Sequence, residues 1–580
     1  MALPPAPIPF RVRIGVTGHR SLNDQDAVKT AVERLLGRVE KMLTAESPAD
    51  SAPLEWLVIS PLAKGADRIV ARAVLGKPHS KLRVITPFLL DEYWKDFDTP
   101  EDHSEFQTLL AHDPEPIELG NAAFAAAASS DQGVRNEGYE RVGQMVVDQC
   151  ELLIAIWKGR AAAGRGGTAE IVQYAIEQGR TVLWIDANAP ERDVFRLVAA
   201  GDGEESGPLS GIAARPFPGD LRSLSRNLYQ LAEYNRDPSF NSREYGDILD
   251  RNLTELRRHA QQAELADSDL GLLFEQVLPQ YARADQLAIH YQRKYVRSAG
   301  GLYGLAAAAV AVAAAQVVFW PHFIWLTPIE IFAMLGALAC WLLSRWGGWH
   351  EKWLHHRHLA EQLRAMLFMK LVGKAHEAPL EHTQRILAFY RGPDTWVRDA
   401  YGQLLRKVDE SPPPEIELKK LRRFLTDAWI GDQARWHAKN SKRKERQARC
   451  LRWTGMGLFG LTLVAAGAHF AIHFLPGHKG HGAEPDGIAC WLALVCTWLA
   501  IILPACGAAV HAVTVLLDRE RLADRSHRMA RALHRIAERS ESAATLEELR
   551  EHAIRAEEVM ATENLEWWIS LSFREIELAA

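Results

Sequence analysis

The sequence predicts a chain of two fold classes. An N-terminal α/β domain, doubly wound on a mainly parallel sheet, precedes an all-α membrane region with two transmembrane helical hairpins, four spans in all. Three observations carry this expectation. Between Ser298 and Ser344 the only charged residue is Glu330, and between Trp453 and Leu517 only Lys479, Glu484 and Asp486 are charged. Each quiet stretch is long enough for two crossings joined by a turn. Residues 10 to 186 alternate short apolar runs with amphipathic segments, the pattern of repeated βα units. A chain of 580 residues is also too long for one domain.

In chain order, Phe10, Val12, Ile14 and Val16 alternate in a first strand. Leu54 to Ile59, Leu82 to Phe88, Leu152 to Trp157 and Thr181 to Ile185 read as buried strands. Asp26 to Leu43, Ala66 to Leu75, Tyr139 to Cys150 and Thr168 to Glu177 read as helices. The α/β domain is drawn over 1–190. Ala187 to Pro216, rich in Gly, Ala, Pro and acids, reads as loop or linker. With helices from Asp220 to Arg297 it fills 191–284. The first hairpin unit spans 285–375, a helical connector 376–420, the second unit 421–540, and C-terminal helices 541–580.

The first span runs from Ser298 to Trp320; about 23 residues at ~1.5 Å each cover about 34 Å, enough for a ~30 Å hydrocarbon core. The others run from Ile329 to Leu343, Trp453 to Leu475 and Gly487 to Leu517, the last containing Pro504, where a tilt or kink is expected. Basic residues flank the outer ends: Arg293, Lys294 and Arg297; Arg345, Lys352 and Arg357; a run from Lys439 to Arg452; and Arg519, Arg521 and Arg525. The turns hold almost none, so the soluble parts and both termini are expected in the cytoplasm. Met1 to Pro9 has neither the basic nor the apolar region of a secretory signal.

A formal net charge of -5, with cations gathered at membrane edges, gives no indication of nucleic-acid binding. The six cysteines form no CxxC pair, which argues against a disulfide framework and a structural zinc site, and no metal is expected. His350 to His355 nearly forms a zinc-protease motif, but Leu354 stands where the second histidine is needed. With His356 and His358 the segment reads as a wet, interfacial helix.

In doubly wound folds ligands bind beyond the C-terminal ends of the strands. Three such junctions stand out: Thr17-Gly18-His19-Arg20, then Ser60 to Arg68 with Lys64, Gly65 and Asp67, and then Gly164-Arg165-Gly166-Gly167-Thr168-Ala169-Glu170. Small residues let backbone N–H groups approach an anion, and a helix N-terminus adds a favourable field. Arg20, Lys64 and Arg165 supply charge, and Thr168 a cap or hydroxyl. Together they predict a site for a phosphorylated small molecule.

Ser60-x-Leu62-Ala63-x-Gly65-x-Asp67 resembles a loop of DNA-processing protein A, and Gly166-Gly167-Thr168-x-Glu170 resembles the glycine-threonine loop of the Lonely-guy hydrolases. Both belong to the SLOG superfamily, and the resemblance covers about residues 10 to 190. It implies a Rossmann-like pocket for a nucleotide-derived ligand. The hydrolases use a glutamate three residues beyond the motif threonine; here that position is Ile171, and Glu170 is the nearest carboxylate. The hairpins read as a duplication: Asp285-Gln286 and His290 before the first span parallel Asp432-Gln433 and His437 before the third. Each resembles the SLATT family of two-helix membrane domains, the second unit more closely than the first.

The resemblances imply a membrane effector gated by a nucleotide, cyclic nucleotide or ADP-ribose type of signal. It is expected as a homo-oligomer in a bacterial inner membrane, beside an enzyme that makes the signal, in antiphage or conflict defence. The alternative is a membrane-tethered nucleotide hydrolase with Glu170 as its carboxylate; a transporter is the third reading.

Overall fold

The computed structural model describes residues 3–45, 52–160, 166–201, 208–217, 222–373, 395–409, 414–472 and 487–572. The chain divides into two compact units. One comprises residues 6–237 with 398–403, and the other residues 238–397 and 404–580 with the first five residues.

The first unit is an eight-stranded sheet in the order β4-β3-β2-β1-β5-β6-β7-β8. The strands are β1 (Phe10–Gly18), β2 (Leu54–Ser60), β3 (Ser80–Thr86), β4 (Ile117–Glu118), β5 (Leu152–Trp157), β6 (Thr181–Asp186), β7 (Phe195–Ala199) and β8 (Ile212–Pro216). All pairs from β4 through β6 are parallel, and β7 and β8 add antiparallel at one edge. The five strands read from the sequence are present. The stretch from Ala187 to Pro216 is not a linker, because it carries β7 and β8. Their alternation is short and flanked by Gly and Pro, which hides a strand of five residues from periodicity.

The helices of this unit are α1 (Gln25–Ala45), α2 (Ala66–Leu75), α3 (Leu90–Tyr93), α4 (Pro100–Leu110), α5 (Ala122–Ser130), α6 (Gln132–Gln149), α7 (Thr168–Glu177) and α8 (Arg222–Asn235). Val142 and Val146 of α6 and Ile171 and Val172 of α7 pack with Leu57, Ile59, Leu153 and Trp157 in one buried cluster. Alternate residues of β2, Trp56 and Val58, turn to the opposite face and are also buried.

The second unit is helical. Four of its helices are long and apolar enough to cross a membrane. The first hairpin comprises Leu278–Phe319 and Thr327–Trp346, followed by Trp349–Met369; the second comprises Gly431–Ile472 and Ile488–Leu517, followed by Arg519–Glu541. The fourth helix continues through Pro504. Trp325, Phe332, Trp453, Phe459 and Ile488 are all more than half exposed, as lipid-facing side chains are. Several polar groups inside the hairpins find partners: Ser298 donates to the Cys340 carbonyl (2.6 Å), Thr327 to Gln316 (3.2 Å), and His469 Nδ1 lies 3.2 Å from Thr497. Trp498 Nε1 donates to the Ala311 carbonyl (3.1 Å), tying the second hairpin to the first. The turn from 473 to 486, with His473, and the connector from 374 to 394 lie outside the described residues.

The helix Trp349–Met369 is not the wet helix its histidines suggest. His355, His356 and His358 are buried. His355 Nδ1 accepts from Trp396 Nε1 (3.2 Å), and His358 Nδ1 lies 2.9 Å from Asn564 Nδ2. Neutral imidazole serves as both donor and acceptor, so it suits such interiors. The sequence window lacked the distant aromatic and amide partners that dry it.

Candidate functional site

Strand order reverses at β1, which lies between β2 and β5, so the loops after these strands border a topological switch point. The loops are tied together through His19. Its N–H donates to the Ile156 carbonyl (3.1 Å), its carbonyl accepts from Ala66 N–H (3.1 Å), and its Nε2 accepts from Lys158 N–H (3.2 Å). Burial and nearby Lys158 hold the His19 imidazole below its ordinary pKa, which suits a ring that accepts a hydrogen bond.

Two glycines make this junction possible. A Cβ on Gly18 would stand 2.5 Å from the Ala66 Cβ and 2.6 Å from the Ile156 carbonyl oxygen. Gly65 has φ +85, and a Cβ there would stand 2.4 Å from the Arg20 carbonyl oxygen, so any larger residue is both strained and obstructed. Leu62 adopts φ 57 in the same loop. The loop is ordered from within: Ser60 Oγ accepts from Leu62 N–H (2.9 Å), and Asp67 accepts from Ala63 N–H (3.2 Å). Burial pushes the Asp67 carboxyl up to about 7, against the pull of the Ala63 hydrogen bond, Arg20, Ser60 and Arg68. Asp67 therefore acts first as a loop-ordering side chain.

Arg20 and Lys64, the cations expected to face an anion, each meet a carboxylate from the segment around α4. Arg20 lies 3.6 Å from Asp96, with its guanidinium 4.9 Å from the Tyr139 ring centroid, and Lys64 lies 2.9 Å from Asp102. Both cations remain half exposed. Behind them Arg135 holds Asp96 and Glu92, and buried Arg68 reaches Asp102 (3.6 Å), Glu105 (2.5 Å) and the Leu62 carbonyl (3.1 Å). Asp96, Asp102, Arg135 and Tyr139 escaped the sequence reading; the acid-rich run from Asp91 to Glu105 was the available signal.

The third loop converges on the same aromatic ring. Gly166 has φ +79, and a Cβ there would lie 2.9 Å from the Asn136 carbonyl oxygen and 3.2 Å from the Tyr139 Cβ. Tyr139 thus stands between Arg20 and Gly166. Gly167 is the N-cap of α7 and Thr168 its first residue, so Thr168 presents an N–H at a helix N-terminus rather than capping it. Glu170 accepts from Gly166 N–H (2.6 Å), and Ile171 is buried in the core beside Gly143. Arg165 lies outside the described residues.

Residues 279–369 match the family described as SMODS and SLOG-associating 2TM effector domain 3, SLATT_3. The match falls on the first hairpin unit, the copy that the sequence reading ranks as the more divergent. A search of the curated proteins finds no match.

Proposed function

We propose that the chain is a membrane effector gated by a nucleotide-derived signal. The α/β unit binds the signal at the loops after β1, β2 and β5, and the hairpins perturb or permeabilise the bilayer in response, as a homo-oligomer in bacterial conflict defence. The observation that carries this reading is the effector-domain match over 279–369, in a chain whose other unit gathers glycine loops and two cations at a switch point. A SLOG-type pocket supports a ligand with phosphate groups for the backbone N–H of Gly65, Asp67 and Thr168, the Ala66 N–H being held by the His19 carbonyl. For anything to move, the ligand must bind one state of the effector more tightly than another. The hydrolase reading has less support, since Glu170 is engaged with its own loop and Ile171 faces the core.

The full chain in vesicles tests this. A panel of mononucleotides, ADP-ribose derivatives and cyclic oligonucleotides is added while dye leakage and ligand integrity are followed together. Leakage triggered by an intact ligand, and lost in Gly65→Trp and Thr168→Arg without loss of membrane insertion, is the expected result. An unchanged response in both variants removes the pocket, and release of a free base makes the protein a tethered hydrolase.

A further inference from the structure

The helix that leaves the second hairpin and the helix that follows it present opposite charge to solvent. Arg519–Glu541 leads away from the fourth span, and Leu546–Ser572 returns beside it, joined by Arg525 and Glu566 at 2.9 Å. On the outgoing helix Arg521, Arg528, Arg531, Arg535 and Arg539 follow spacings of seven, three, four and four, which place them on one face with Asp524 and Glu538, a face that is basic on balance. All five are exposed. Arg521 reaches Asp518 (3.7 Å); among the described residues the other four have no ion-pair partner.

On the returning helix Glu547, Glu551 and Glu558 share an exposed face with Arg555, which lies between Glu551 and Glu558, and Glu548 stands at its margin, so the face is acidic on balance. Glu547 meets Arg550 (2.7 Å), and Glu548 accepts from Ala544 N–H (2.7 Å). Glu551 and Glu558 have no basic partner among the described residues. The Arg525–Glu566 contact sets the two helices level with each other. At ~1.5 Å per residue from it, Arg539 stands about 21 Å out and Glu551 about 22 Å; Arg531 stands about 9 Å out and Glu558 about 12 Å.

Copies of a membrane-spanning chain share one orientation and one depth, so groups at equal distance from the bilayer meet when copies stand side by side. We propose that the arginine face of one copy takes the glutamate face of a second copy, Arg539 against Glu551 and Arg531 and Arg535 against Glu558. The inference rests on the membrane and homo-oligomer reading above, and names the surface that builds the oligomer. Such a contact uses two different patches, and it closes into a ring where its rotation permits. Anionic lipid suits the arginine face less well. Its pull fades within a Debye length of ~8–10 Å, and Arg539 lies 20 residues beyond Arg519, where this helix begins after the left-handed Asp518, about 30 Å along it.

The test uses the full chain in zwitterionic vesicles, with crosslinking and particle mass to read the assembly. One variant carries Arg531→Glu, Arg535→Glu and Arg539→Glu; another carries Glu551→Arg and Glu558→Arg. Each is expected to weaken self-association at least about tenfold at physiological salt, because like charges then face each other. Mixing the two variants, or placing all five changes in one chain, is expected to restore assembly, a rescue that a misfolded variant cannot give. An oligomer indifferent to both reversals overturns this inference and leaves the oligomer reading standing, whereas a monomer under all conditions overturns both. Assembly that requires added nucleic acid or anionic lipid assigns the arginine face to that partner instead.

Discussion

In the first hairpin unit the charges below the spans turn inward. Arg357 meets Asp285 (3.0 Å) and Glu361, Arg364 meets Glu361 (3.0 Å) and the Tyr281 hydroxyl (2.8 Å), and Lys294 lies over the Tyr291 and Trp349 rings. In the second unit the corresponding charges turn outward. Lys439, Lys442, Arg443 and Arg446 are exposed at spacings that share one helix face, and Trp453 continues it. The order of parts is the same in both. The first unit spends its ions on internal structure, and the second leaves them available to surroundings.

Removing one inward ion should break that contrast most. Glu361→Gln removes the carboxylate shared by Arg357 and Arg364, which keep Asp285 and the Tyr281 hydroxyl, and is expected to cost about 2 kcal/mol, the scale of a hydrogen bond to a charged group. A melt of the full chain in detergent reads it as a drop of several degrees. Glu445→Gln removes the partner of exposed Arg449 and is expected to leave the melt unchanged. Equal shifts in the two variants would erase the distinction.

A smaller effect follows acidification. Burial holds His350 at about 4 and His356 well below its ordinary value, so folding favours their neutral forms. Their contribution is complete above about pH 6.5 and is lost as pH falls toward 4. Glu557 and Glu563, raised to about 7 by burial, act oppositely, losing theirs as pH rises from about 4.5 to 7. His356→Leu should flatten the acid limb of melting temperature against pH. His527→Gln, on the exposed face of the second unit, should leave the limb intact; a limb unchanged in both would place the acid sensitivity elsewhere.

The smallest expected effect concerns the link between the hairpins. Trp498→Phe removes the donor to the Ala311 carbonyl and should cost about 1 kcal/mol, the scale of an interhelical hydrogen bond in a membrane. A steric-trap unfolding measurement in bicelles resolves that difference, and no change would mean that the hairpins hold together by packing alone.

The parallel strands and the spans were legible because each is a local pattern: Leu152 to Trp157 is continuously apolar, and the spans are defined by missing charge. The glycines of the three loops were legible as well, since Gly65 and Gly166 mark turns by themselves. Asp96, Asp102 and Tyr139 were not, because their partners lie tens of residues away and only the folded sheet edge joins them. The same limit misjudged His355 and His358, whose buried contacts reach Trp396 and Asn564.

The carboxylates beside Arg20 and Lys64 set a threshold for the proposed site. A cation already matched to Asp96 or Asp102 offers little to an isolated inorganic anion, which would exchange one partner for another at no gain. A larger molecule that also engages the backbone amides around Gly65 and Thr168 can displace both acids at once. A site of the proposed kind would thus discriminate by number of simultaneous attachments rather than by charge alone, and small anions would be background to it.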